Sequence, residues 1–210
     1  MPHISERGAA LPASPIRKLT PYAEAAKARG VKVYHLNIGQ PDLPTPEKAM
    51  EAIRSIDKRT LSYSMSQGTP ALREEFSKYY RTFGIDLDPD EIIVTAGGSE
   101  ALLATFLTCF DPGDEVIITE PGYANYLSFA EAAGLVVKAV TSKIENGFAL
   151  PSAEDFKKAI TPRTKAILIC NPNNPTGYLY SPEELFQLRD LVKEHDLFLI
   201  SDEVYREFVY

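Results

Sequence analysis

Several polar segments directly follow apolar, β-branched runs, and the first of them, "AGGSE" at 96–100, could bind a phosphate group. Gly98 and Ser99 offer backbone N–H groups and a hydroxyl at the start of a predicted helix, where the helix dipole favours an anion. The segment lacks the lysine of a nucleoside-triphosphate loop and the glycine spacing of a dinucleotide fingerprint. A glycine turn with an N-capping serine explains the same residues, so both interpretations stay open.

The segment "SDEVY" at 201–205 places the carboxylate of Asp202 at the end of an apolar run. A carboxylate in such surroundings needs a cationic partner or hydrogen-bond donors. Tyr205 could serve the same ligand only if the chain turns immediately after the strand, because successive strand residues face opposite sides. Alternatively, Asp202 caps a turn and Tyr205 is a core aromatic residue.

The segment "NPNNPTG" at 171–177 combines three asparagines with two prolines after the apolar run "KAILIC". Proline fixes φ, and asparagine and glycine accept turn conformations, so the composition is typical of a rigid surface turn. The asparagine side chains are also neutral donors and acceptors that could hold one heteroatom of a ligand in place. Asn174 is the candidate for that role.

Alternating strands and helices must position these segments. Apolar strands are predicted in "EIIVT", "EVIIT", "LVVKAV", "KAILIC" and "LFLIS", and amphipathic helices lie between them. This order predicts an α/β fold with a mostly parallel sheet covered by helices on both faces. Ligands of such sheets bind at the carboxyl ends of the strands, where all three segments fall.

Composition excludes several classes of partner. The 210 residues are 44% apolar and carry a net charge of −7. The 22 Lys and Arg residues are scattered along the chain, which argues against binding of nucleic acid. No apolar run approaches a membrane span, and no signal-peptide core precedes the first helix, so we expect a cytoplasmic protein without membrane contact. Cys109 and Cys170 lie inside apolar runs as buried thiols, and no metal site is predicted.

Together, in this order and spacing, the segments resemble the fold-type I aminotransferases that use pyridoxal phosphate, the class I/II or aspartate aminotransferase superfamily. The resemblance runs from "NIGQPDLPTP" through "YSMSQGTPALRE", "AGGSE", "PGYANY" and "NPNNPTG" to "SDEVY". It implies that 1–44 form an N-terminal arm and part of a small domain. It also implies that 45–210 form the N-terminal part of the large cofactor-binding domain.

The resemblance assigns cofactor contacts residue by residue. Gly98 and Ser99 would bind the phosphate of pyridoxal phosphate, and Tyr123 in "PGYANY" would stack on its pyridine ring. Asn174 and Tyr205 would both reach the phenolic oxygen of the cofactor. The family pattern further implies cis peptide bonds before the prolines of "EPGY" and "NPTG", Pro121 and Pro175.

The remaining assignments concern catalysis, substrate and partner. Asp202 would pair with the pyridine nitrogen and keep it protonated, with Tyr123 and Tyr205 as the other catalytic side chains. Gly39 would lie beside the substrate carboxylate, which Asn174 would also approach. Tyr63 would extend into the site of a second subunit and touch its phosphate, so the resemblance implies a homodimer.

The implied reaction is transfer of an amino group from an amino acid to a 2-oxo acid. The same loops serve relatives that perform β-elimination, decarboxylation or cyclopropane formation, and a noncatalytic fragment or regulatory domain that binds pyridoxal phosphate is a further alternative. The family's Schiff-base lysine and carboxylate-binding arginine have no counterpart in the 210 residues. We therefore expect an N-terminal portion of a longer enzyme, inactive by itself, with an apolar sheet edge left open.

Overall fold

Two groups of residues pack separately in the computed structural model, which describes residues 2–11, 14, 16–37, 39 and 43–209. One unit holds the described residues of 1–14 together with those of 96–210, and the other unit holds those of 15–95. The boundary predicted after residue 44 falls inside the second unit. It concerns the domains of the family and stays a prediction.

Among the described residues, the longer elements are helices and four strands, with short 3₁₀ turns between some of them. The helices are α1 (Glu6–Ala10), α2 (Thr20–Ala28), α3 (Glu47–Arg54), α4 (Pro70–Arg81), α5 (Gly98–Cys109), α6 (Asn125–Ala133), α7 (Ala153–Ala159) and α8 (Pro182–Glu194). The strands are β1 (Glu115–Glu120), β2 (Val136–Thr141), β3 (Thr164–Cys170) and β4 (Phe198–Asp202). Among the described residues, no helix has the length and apolarity needed to cross a membrane.

The strands form one parallel sheet in the order β2-β1-β3-β4. Alternate residues of the central strands enter two different cores. Val116 and Leu168 pack with α5 and α6, whereas Ile117 and Ile167 pack with α7 and α8. The predicted parallel sheet with helices on both faces is confirmed.

Local signals account for the ends of two of these helices. Gly134 follows α6 with φ of +79°, a left-handed conformation that glycine adopts without a side-chain clash. Ser181 and Glu184 form a reciprocal capping box at the start of α8.

The prediction of a strand in "EIIVT" is wrong for the described residues. Residues 92–95 carry no strand assignment, and the backbone N–H of Val94 donates instead to the carbonyl of Gln67 at 3.0 Å. A strand requires a neighbouring strand with which to exchange hydrogen bonds, and β-branched composition alone does not supply one. The described sheet therefore has four strands rather than five.

One edge of the described sheet is apolar. β4 pairs only with β3, and the side chains of Phe198 and Leu199 are 55% and 39% exposed. The open apolar edge expected from the sequence is therefore present at β4.

Candidate functional site

The carboxyl ends of β1, β3 and β4 lie at one edge of the sheet, because the strands are parallel and adjacent. The segments "PGYANY", "NPNNPTG" and "EVY" follow these ends directly. This edge therefore gathers the candidate residues of three separate parts of the chain.

Asp202 is the last residue of β4 and is half-buried. Its Oδ2 accepts a hydrogen bond from the hydroxyl of Tyr126 at 2.7 Å, and its Oδ1 accepts one from the backbone N–H of Val204 at 3.1 Å. Asp202 is in register with Cys170, so its side chain lies on the face of the sheet that carries α5 and α6. The carboxylate thus has donors on both oxygens, as its apolar surroundings require.

Tyr126 is the hydrogen-bond partner of Asp202, and the sequence alone did not predict it. It lies in the first turn of α6 with only 3% of its surface exposed. Burial raises the pKa of Tyr126, and the hydrogen bond to Asp202 raises the pKa further, because both oppose a phenolate. Its hydroxyl therefore remains a neutral donor. In the sequence, the second tyrosine of "YANY", three residues after Tyr123, is the signal that points to it.

The thiol of Cys170 borders the same cluster. It is buried, and its Sγ lies 3.3 Å from the carbonyl oxygen of Pro172. Burial raises the pKa of the Cys170 thiol, so this cysteine is a neutral packing residue, as predicted.

Asn174 and Tyr205 come together across the loops that follow β3 and β4. The Nδ2 of Asn174 donates to the hydroxyl oxygen of Tyr205 at 3.3 Å. They line an open cleft of about 280 Å³ whose other walls come from the same two loops: Pro172, Asn173, Pro175, Gly177 and Phe208. The chain does turn immediately after β4, as joint use of Asp202 and Tyr205 requires.

The other two asparagines of the loop stabilise its turn. The Oδ1 of Asn171 accepts from the backbone N–H of Tyr180 at 3.0 Å. The Oδ1 of Asn173 accepts from the N–H and the hydroxyl of Thr176 at 3.1 and 2.8 Å. Asn174 is therefore the asparagine of this loop whose amide donates to Tyr205 across the cleft.

The predicted cis peptide bonds are confirmed at Glu120–Pro121 and Asn174–Pro175. A third cis peptide bond, Asn171–Pro172, was not predicted.

Tyr123 lies beside Tyr126 on the same face of the sheet. The two rings meet edge to face, with centroids 5.3 Å apart and an interplanar angle of 83°. The hydroxyl oxygen of Tyr123 accepts from the Nδ2 of Asn125 at 2.8 Å. Tyr123 is thus held at both its ring and its hydroxyl, next to the residue that contacts Asp202.

Gly98 and Ser99 form the first residues of α5, and both are exposed. α5 packs on the sheet through Leu102 and Phe106 and ends shortly before β1 begins, so its N-terminus lies toward the carboxyl edge of the sheet. Within the described part of the chain, no hydrogen bond occupies the N–H groups of Gly98 and Ser99. A Cβ on Gly98 would meet no atom within 4 Å, so the space in front of the helix is open.

Gly39 and Tyr63 belong to the other unit. Gly39 is exposed, and the side chain of Tyr63 is fully exposed. The structure brings Asn174 to Tyr205 and, through Tyr126, Tyr123 to Asp202, while the roles of all these residues, and of Gly39 and Tyr63, stay predictions.

Known proteins are similar to this chain in sequence and in architecture. Residues 31–210 match the family model described as Aminotransferase class I and II. The aspartate/prephenate aminotransferase of Thermus thermophilus is 40% identical over 209 residues, which are 99% of this chain and 54% of that relative. The aspartate aminotransferase of Geobacillus stearothermophilus is 38% identical over 99% of this chain and 53% of its own length.

Solved structures of aminotransferases have the same fold as this chain. An aspartate aminotransferase from Thermus thermophilus with maleate superimposes with a TM-score of 0.93 at 39% identity, covering 100% of this chain and 55% of that one. An alanine aminotransferase from Pyrococcus furiosus gives a TM-score of 0.91 at 35% identity, covering 97% and 52%. The chain spans about half the length of the curated relatives it matches.

Proposed function

Because this chain belongs to the aminotransferase class I and II family, we propose that the protein transfers an amino group from an amino acid to a 2-oxo acid, with pyridoxal phosphate as cofactor. One observation carries the proposal. Asp202, Asn174 and Tyr205, from two neighbouring strand ends, lie at one edge of the sheet, and two of them share a hydrogen bond.

The residues present fit the polar groups of pyridoxal phosphate. The Asp202 carboxylate accepts two hydrogen bonds and has further lone pairs, so it can also accept from a protonated ring nitrogen. Asn174 and Tyr205 supply an amide and a hydroxyl donor that can meet at a single phenolic oxygen. Gly98 and Ser99 supply N–H groups and a hydroxyl for the phosphate at the positive end of α5.

When bound, pyridoxal phosphate supplies a pyridinium ring that draws electrons away from the α-carbon of the amino acid. Asp202 would hold the proton on the ring nitrogen through an opposite charge. Asn174 and Tyr205 would donate to the phenolic oxygen and so limit rotation of the ring. Tyr123, which is fixed by Asn125 and Tyr126, would limit tilting of the ring. These residues orient the cofactor, and the family's lysine would move the proton at the α-carbon.

Aspartate is the first amino donor to test. Two of the similar relatives are named for aspartate, while a solved neighbour is named for alanine. Asn174 would lie beside the carboxylate of whichever donor binds.

We also infer that the protein acts in the cytoplasm as a homodimer. The exposed ring of Tyr63 would reach the phosphate in the site of the partner subunit. Cys109 and Cys170 are free thiols, which accords with a reducing compartment.

The test is cofactor loading and half-reaction with the protein in its native full length. Pyridoxal phosphate should produce a visible absorption band that aspartate or another amino acid converts to the amine form of the cofactor. Asp202→Asn should lower the rate of conversion by about 100-fold or more, because it removes the charge opposite the ring nitrogen. Glu145→Gln, which removes the charge of an exposed carboxylate in the turn after β2, should leave the rate unchanged.

Residues 1–210 alone should bind pyridoxal phosphate weakly and show no turnover. Absence of an absorption band in the full-length protein, together with no conversion by any amino acid, would disprove the proposed function.

A further inference from the structure

We propose that Tyr126 is a positioning residue that holds the Asp202 carboxylate in the orientation from which it meets the ring nitrogen of the cofactor. The inference rests on the proposed function for the identity of that ring. It goes beyond the proposed function by assigning a role to a side chain that does not line the cleft between Asn174 and Tyr205.

The geometry around Asp202 supports this role. Tyr126 donates to Oδ2 at 2.7 Å, and the backbone N–H of Val204 donates to Oδ1 at 3.1 Å. The terminal torsion of an aspartate is broad, so one donor alone leaves the carboxylate plane free to rotate. Donors on both oxygens, one from α6 and one from the turn after β4, fix that plane.

Tyr126 is itself held rigidly. It is 3% exposed, and its ring packs against Tyr123 at 5.3 Å between centroids. It also belongs to the core that joins α5 and α6 to the sheet. Tyr126 therefore connects Tyr123, the proposed stacking ring, with Asp202, the proposed nitrogen partner, which lies 76 residues away in sequence.

A second buried tyrosine provides a matched comparison. Tyr180 is 6% exposed, and its hydroxyl donates to the Oγ1 of Thr119 at 3.3 Å on the opposite face of the sheet. This hydrogen bond joins two neutral groups away from Asp202. Tyr180→Phe removes a buried hydroxyl just as Tyr126→Phe does, but leaves Asp202 untouched.

The decisive measurement compares two probes, pyridoxal phosphate and its 1-deaza analogue, in which carbon replaces the ring nitrogen. The ratio of their dissociation constants reports only the interaction at the nitrogen. The full-length wild-type protein should prefer pyridoxal phosphate. Tyr126→Phe should reduce that preference by about tenfold, the usual size of one hydrogen bond to a charged group, and Tyr180→Phe should keep it.

A cofactor-free measurement tests the contact directly. The NMR signal of the isotope-labelled Asp202 carboxyl carbon should shift in Tyr126→Phe and stay in place in Tyr180→Phe. If Tyr126→Phe does not fold, the labelled phenol carbon of Tyr126 should shift in Asp202→Asn and not in Glu203→Gln.

The outcomes separate the two proposals. A wild-type protein that binds neither probe contradicts the proposed function, and the NMR signals still decide whether Tyr126 holds Asp202. Equal probe preference in wild type and Tyr126→Phe overturns the positioning role. An Asp202 signal that does not respond to Tyr126→Phe overturns it as well.

Discussion

At the scale of single residues, Glu115 is the buried acid at the end of the sheet opposite the candidate site. It begins β1 with 1% of its surface exposed. Its carboxylate accepts from the hydroxyls of Thr161 at 2.6 Å and Thr164 at 3.2 Å. Arg163 and Lys138 lie at 3.3 and 3.6 Å. Through these hydrogen bonds and ion pairs, Glu115 links the N-terminal halves of β1, β2 and β3.

Because of Glu115, the free energy of unfolding should depend on pH. Burial alone would raise the pKa of Glu115, but the two threonine hydroxyls and the two cations outweigh burial and lower the pKa below its ordinary value of 4.5. A carboxyl with a lowered folded-state pKa stabilises the fold above its unfolded-state pKa, and this contribution disappears as the pH falls through the folded-state value. Glu115→Gln should therefore cost about 2 kcal/mol at about pH 7 and less at about pH 3.

Urea unfolding of the 210-residue chain at the two pH values measures this difference. Glu145→Gln, at an exposed position in the turn after β2, should change stability by less than about 0.5 kcal/mol at either pH. An equal cost of Glu115→Gln at both pH values would show that the charge of Glu115 does not contribute.

The candidate site shows which residue roles a sequence can reveal. Asn174, Asp202 and Tyr205 stand in short segments at or directly after strand ends, so local order was enough to predict that they lie at one edge of the sheet, while their roles stay predictions. Tyr126 could not be predicted in the same way, because its partner lies 76 residues away. Its role depends on how α6 packs against β4.

At the scale of elements, Glu184 does more than cap α8. It completes the capping box with Ser181, and its carboxylate also accepts from the backbone N–H of Leu150 at 2.7 Å and from the hydroxyl of Tyr178. Ser181→Ala should cost about 1 kcal/mol, the usual value of an N-cap. Glu184→Ala should cost about 3 kcal/mol, because several donors lose a charged acceptor.

Chemical denaturation of both variants gives the comparison. A cost for Glu184→Ala no larger than that for Ser181→Ala would mean that the links to Leu150 and Tyr178 do not stabilise the fold.

Helix caps can be predicted from the sequence because the two capping residues are three positions apart. The pairing of strands and the burial of side chains depend on residues that are distant in the sequence. The β-branched "EIIVT" run has strand composition but no paired strand among the described residues. In α4, the apolar side chains of Phe76 and Tyr79 are 38% and 37% exposed, while Arg73 is buried. Arg73 is held there by Asp90 and the carbonyl of Pro89, contacts that helical periodicity cannot predict.

At the scale of the whole molecule, we expect chains to associate at the open sheet edge formed by β4. Its backbone pairs with β3 on one side only, and Phe198 and Leu199 are exposed along it. An apolar edge strand is a template for pairing with another chain, and the net charge of −7 is too small and too dispersed to prevent contact at one edge. The 210-residue chain should therefore associate through β4 as its concentration rises.

A lysine on β4 tests this association. Leu199→Lys places a charge on the edge strand and should raise the concentration at which association begins by about tenfold, equivalent to ~1.4 kcal/mol, in light scattering or sedimentation. Leu107→Lys adds the same charge at an exposed position of α5, which is 63% exposed, and should have little effect. If both variants delay association equally, the change in net charge is the cause. Only a difference between them assigns the contact to β4, because both variants alter the total charge by the same amount.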